Sequence, residues 1–89
     1  MGLRRFANKR DANEAGIIAA LEALGCLVHR MDKPVDLLVL HRGRVMLVEV
    51  KTRKGKLTAD QETFSEAWPI HVLRSVEDAI ALAQGRVAA

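Results

Sequence analysis

Val45-Met46-Leu47-Val48-Glu49-Val50-Lys51 is the stretch that decides how this chain folds. Four apolar residues in a row, with a fifth after Glu49, read as a strand inside a sheet. Its near-continuous apolar character predicts burial on both faces and therefore a central position. His41-Arg42-Gly43-Arg44 precedes it, with glycine where a tight turn needs one, and Val35–Leu40 before that is again β-rich. The pattern predicts a hairpin. Working outward, Cys26–Arg30 reads as a short strand, and Pro34 is expected to open the next one. Before it, Asp11 is a good N-cap with Glu14 three residues on, and Ile17, Ile18, Leu21 and Leu24 share one helical face. Gly25 is the expected stop. Beyond the central strand lies a basic loop, Arg53–Leu57. Thr58-Ala59-Asp60-Gln61 then opens a helix to about Ala67, and Pro69 ends it. Ile70–Leu73 is a strand, and Ser75 caps a last helix to about Gln84. The order α-β-β-β-α-β-α predicts an α/β domain: a mixed β-sheet flanked by helices on both faces.

With 89 residues, the chain is expected to form one domain, 1–89, with residues 1–10 as a basic N-terminal arm. Its 49 % hydrophobic and 28 % charged residues are ordinary globular usage and argue against disorder. A net charge of +3, from fourteen Lys/Arg against eleven Asp/Glu, suits a phosphate-bearing partner. Phe6, Phe64 and Trp68 are the only aromatic residues, too few to stack a run of single-stranded bases, so duplex or branched DNA fits better. The single cysteine, Cys26, excludes an internal disulfide and a cysteine zinc site, and its apolar setting predicts a buried, inert thiol. No apolar run approaches the length of a membrane span, which predicts no membrane partner and a cytoplasmic protein.

The chemistry-bearing residues sit at the end of the central strand. Side-chain alternation puts Glu49 and Lys51 on one face. A hairpin centred between Arg42 and Gly43 pairs residues whose numbers sum to 85, and Asp36 and Glu49 do so. Opposed in this way, their Cβ atoms would lie about 4.5–5.5 Å apart. Two like charges so placed destabilise each other, and a divalent cation between them reverses the sign. Oxygen ligands of this kind suit Mg²⁺ or Mn²⁺. The plainer alternative is an ion-paired strand end in which Lys51 neutralises one carboxylate.

Pro34-Val35-Asp36, a gap, then Glu49-Val50-Lys51 resembles the signature of the PD-(D/E)xK nuclease superfamily. With the basic loop and Leu57-Thr58-Ala59-Asp60-Gln61 behind it, the chain looks like the virus-type replication–repair nuclease (VRR-NUC) branch and its Holliday-junction-resolvase-like relatives, over about Asp11 to Leu82. One departure is that Val35 separates Pro34 from Asp36, where the branch often has proline next to aspartate. The resemblance implies a restriction-endonuclease-like core and a Mg²⁺- or Mn²⁺-dependent endonuclease acting on DNA. Asp36, Glu49 and the backbone carbonyl of Val50 would hold the metal. Lys51 would orient the attacking water or steady the charged transition state. A general-base role for Lys51 is not secure, because a lysine between carboxylates tends to stay charged.

Glu14 points inward from its helix stripe; the resemblance makes it a further metal-site residue, while its local role is the capping box with Asp11. Gln61 has the same two readings, site residue or cap of the helix that Thr58 opens. Arg53, Lys54 and Lys56 are expected to hold DNA phosphates beside the site, with Gly55 leaving room for a close approach. Arg4, Arg5, Lys9 and Arg10 could supply a second DNA contact or merely solubilise the arm. His29, His41 and His71 are isolated and unsuited to a shared metal. Trp68 is expected to pack its helix end onto the core, or to serve a dimer contact. One active site per chain cannot cut both strands at once, which motivates a homodimer. The competing functions are a non-catalytic DNA-binding module and a nuclease subunit needing a partner, such as a helicase or another replication or repair protein.

Overall fold

The computed structural model describes residues 13–85, so the expected basic arm and the Asp11 cap lie outside the described residues. The hairpin forms as its turn chemistry demands. β2 (Leu37–His41) and β3 (Arg44–Val50) run antiparallel, joined by Arg42 and Gly43. Both turn residues have positive φ, 54° and 79°, the pairing that a two-residue hairpin turn requires. Leu37 faces Val48 and His41 faces Arg44, so the register is the one that the turn position predicts.

β1 (Leu27–Arg30) adds antiparallel to β2, and β4 (Ile70–Leu73) adds parallel to β3. The sheet order is β1-β2-β3-β4, which leaves β3 internal. The β3–β4 crossover carries α2 (Ala59–Ser65). The remaining helices are α1 (Glu14–Ala23) and α3 (Val76–Ala83). The chain is thus a small α/β domain with a four-stranded mixed sheet.

Period-two alternation sorts the sheet residues. Leu37, Val39, Met46, Val48, Val50 and Leu73 face α1 and α3, and with Ile17, Leu21, Ala79 and Leu82 they make the core. The opposite face departs from expectation. Leu27, Leu40 and Val45 lie on it and are exposed, Val45 by 66 %. α2 buries none of its residues, and both core helices lie on the other side. The apolar run of β3 therefore reports its place between two strands more than burial on both faces.

Local ends follow the chain's punctuation. Gly25, at φ 94°, donates from its N–H to the Glu22 carbonyl, and the Cys26 N–H reaches the Leu21 carbonyl, which closes α1 in a Schellman motif. At the other end α1 begins at Glu14 with Asn13 in the cap position. Glu14 is therefore the first helical residue and not the third after a cap at Asp11. β2 also starts late, at Leu37: the Asp36 carbonyl still accepts from the Met31 N–H in the β1–β2 register, but its N–H goes to the Glu49 carboxylate.

Candidate functional site

The ends of β2 and β3 bring Asp36 and Glu49 together one step past the last ladder pair, Leu37 with Val48. Each carboxylate then takes a backbone N–H from the opposite strand. Glu49 Oε1 accepts from the Asp36 N–H at 3.1 Å, and Asp36 Oδ2 accepts from the Val50 N–H at 2.9 Å. These bonds prolong the ladder through side chains. Lys51, two residues beyond Glu49 on the same face, places its ammonium 3.1 Å from Glu49 Oε2. Glu49 is buried, at 4 % exposure, so its charge depends on these partners.

Glu14 is equally buried, at 3 %, and its Oε2 lies 3.4 Å from Nε of Arg30. Arg30 faces Leu37 across the β1–β2 ladder, which brings Glu14 to the same end of the sheet as Asp36. Among the described residues, however, no group of three or more acidic, histidine or cysteine side chains is arranged to hold a metal ion. Asp36 and Glu49 stand as a pair, and Glu14 is partnered by Arg30.

Gln61 takes the cap. Its Oε1 accepts from the Thr58 N–H and its own N–H donates to Thr58 Oγ1, both within 3.1 Å. The amide oxygen is thereby turned to the helix end. Trp68 departs from the core-packing expectation: it is exposed and stacks on Phe64, ring centroids 6.0 Å apart. The turn that follows α2, with the Trp68 N–H bonded to the Phe64 carbonyl, carries the indole outward.

Arg53, Lys54 and Lys56 are exposed in the loop that leaves β3. Gly55 folds back over Lys51: a Cβ there would meet Thr52 Oγ1 at 3.2 Å and the Lys51 stem at 3.4 Å. Two residues without motif signal hold this corner. Arg74, just after β4, donates from one guanidinium nitrogen to the carbonyls of Thr52, Arg53 and Gly55. Asn13 Nδ2 bridges the carbonyls of Lys51 and Arg74, tying the start of α1 to the ends of β3 and β4. Their ordinary polar character gives no hint of these partners, which come from elements far apart in the chain.

The histidines stay apart from the carboxylate pair. His71 lies on β4 opposite Val48; burial, and then the Arg44 guanidinium, hold its proton affinity below the usual value. Cys26 is buried in the core, and burial pushes its thiol up, which keeps it protonated and poorly nucleophilic. No described helix is long and apolar enough to cross a membrane.

Compared with family models, with curated proteins and with solved structures, the chain matches none.

Proposed function

We propose that this chain is a Mg²⁺- or Mn²⁺-dependent endodeoxyribonuclease of the PD-(D/E)xK type, with Asp36, Glu49 and Lys51 at its centre. The observation that carries the reading is the cross-strand pair itself. Two carboxylates, one of them buried, face each other across the end of a hairpin, and the Lys51 ammonium lies against the buried one.

The donor chemistry fits a hard cation. Each carboxylate offers about four lone-pair sites, all of them hard oxygen donors. Val50 turns its N–H towards Asp36, and a strand residue's C=O shares the flank of its N–H, which supports the Val50 carbonyl as a third donor. Two carboxylates and a carbonyl suit an ion that keeps several waters. Such an ion, when bound, supplies charge neutralisation at the phosphate and a more acidic water. The chain's own residues do the rest. Asp36 and Glu49 hold the site's geometry through the Asp36 and Val50 amides. Lys51, released from Glu49, offers its ammonium to charge developing on the phosphate oxygens. Arg53, Lys54 and Lys56 hold neighbouring phosphates. Glu14 and Gln61 belong to this reading as outer members.

Duplex or branched DNA is the proposed substrate, and a homodimer the proposed assembly, with the open Leu27–Leu40–Val45 face available to a second copy. Sedimentation showing only monomer at micromolar concentration would remove the dimer. The catalytic test is cleavage of linear, nicked, flap and four-way-junction DNA with Mn²⁺ or Mg²⁺. Cutting by the native chain, lost on Asp36→Asn, supports the proposal; no cutting of any substrate refutes it for the chain alone. A second reading, a DNA-binding module without catalysis, is favoured by how fully Glu49 is satisfied by Lys51 and the Asp36 amide. It predicts equal DNA binding by Asp36→Asn and no metal-dependent cutting. Activity appearing only with a helicase or another repair protein would mark a subunit that needs its partner.

A further inference from the structure

The corner after β3 has a built-in geometry that goes beyond a run of basic side chains. Arg74 gathers the carbonyls of Thr52, Arg53 and Gly55 around one guanidinium nitrogen, at 2.8, 3.3 and 2.6 Å. In a trans peptide the C=O of one residue and the N–H of the next are antiparallel. Drawing three carbonyls inward therefore turns the N–H groups of Arg53, Lys54 and Lys56 away from Arg74. Among the described residues none of these three amides has a hydrogen-bond partner. The side chains of the same three residues are exposed cations. Arg74 is itself held from behind: its N–H donates to Asp78 Oδ2 at 2.8 Å, its carbonyl accepts from Asn13, and Ser75 caps α3 beside it. Gly55 is needed where the loop closes on Lys51.

We infer that Thr52–Lys56 is a DNA-backbone-binding loop, assembled by Arg74 acting as a positioning residue, in which the outward amides and cationic side chains of Arg53, Lys54 and Lys56 meet phosphates of DNA. Backbone N–H groups and cationic side chains turned out of one short loop supply donors and charge for phosphate oxygens. The ligand is a phosphodiester adjoining the one at the carboxylate pair. The inference rests on the proposal that the chain binds DNA and is independent of whether it cuts DNA. Arg74 faces the loop's inside and touches no phosphate.

The test uses the full chain and a 20-base-pair duplex in EDTA, so that cleavage plays no part. Affinity is measured against salt for the native chain, Arg74→Met, Arg74→Lys and Lys54→Met. Lys54→Met should lower the slope of log K on log salt by about 0.9, the mark of one lost phosphate contact. Arg74→Met should weaken binding about tenfold, as expected for losing hydrogen bonds to a charged group, with the slope unchanged. Arg74→Lys keeps the charge but not the fork and should fail to restore affinity. In the native chain, duplex DNA should shift the amide resonances of Arg53, Lys54 and Lys56. Unchanged affinity on losing Arg74, a slope reduced by about 0.9 in Arg74→Met, or amides that do not respond each overturns the inference. Amides that respond to inorganic phosphate but not to duplex reduce the loop to a small-anion site and also overturn it. If Arg74→Met does not fold, Arg74→Lys and the native amide shifts decide. DNA binding with the expected shifts but no metal-dependent cutting refutes the nuclease proposal and leaves the loop standing.

Discussion

Asp36 is where stability and the proposed activity pull apart. Its Oδ2 bonds the Val50 N–H, and its charge lies against that of Glu49. An asparagine keeps an oxygen for that N–H and removes the like charge. Asp36→Asn should therefore keep the bond to Val50 and fold without metal, while losing cleavage. Thermal denaturation in EDTA beside a cleavage assay reads both, and a large fall in Tm would contradict the account. Lys51 is the converse case. It is the ammonium on a nearly buried carboxylate, and its own side chain is only 16 % exposed. Lys51→Met should cost about 1–3 kcal/mol, below the figure for breaking a fully buried pair because water still reaches the lysine. Urea denaturation checks the magnitude.

At the scale of elements, the helices differ in what holds them. α1 and α3 bury Ile17, Leu21, Ala79 and Leu82 against the sheet, so tertiary packing supports them. α2 buries nothing and rests on its capping box. Its amides should exchange faster than those of α1. Thr58→Ala should cost about 1 kcal/mol locally, roughly a fivefold faster exchange across Ala59–Ser65, with little change in global stability. Equal protection in α1 and α2 would show that α2 has support that its burial does not reveal.

Across the whole molecule, His71 sets a pH dependence. Burial, with Arg44 adding to it, lowers its proton affinity in the folded state. The unfolded chain takes up this proton near pH 6.5, and the folded chain only at lower pH. Between those points the unfolded state holds more protons, so stability is full above about pH 6.5 and falls as pH drops through the window. Denaturant midpoints at pH 7.5 and 5.5 should differ in that direction, and His71→Gln should flatten the difference. An unchanged slope in the variant would place the effect elsewhere. The open apolar sheet face also belongs to this scale. Leu27, Leu40 and Val45 have no place in the single core, which draws all its members from the other side of the sheet.

What the sequence determined by itself is local or periodic. Gly43 after Arg42 set the turn, the turn set the register, and the register opposed Asp36 to Glu49. Gly25 ended α1 and Thr58 with Gln61 began α2, because such signals act within a few residues. Alternation alone put Lys51 beside Glu49. What only the tertiary structure decided joins distant segments. Apolar periodicity marks β3 as a strand, but it does not say whether both sheet faces are covered. Arg30 on Glu14, Asn13 between Lys51 and Arg74, and Arg74 under the basic loop are contacts across tens of residues. A polar side chain's partner there depends on which elements pack together, and no spacing records it. The carboxylate pair was legible because one short hairpin contains it; the corner that steadies it was not, because three separate elements build it.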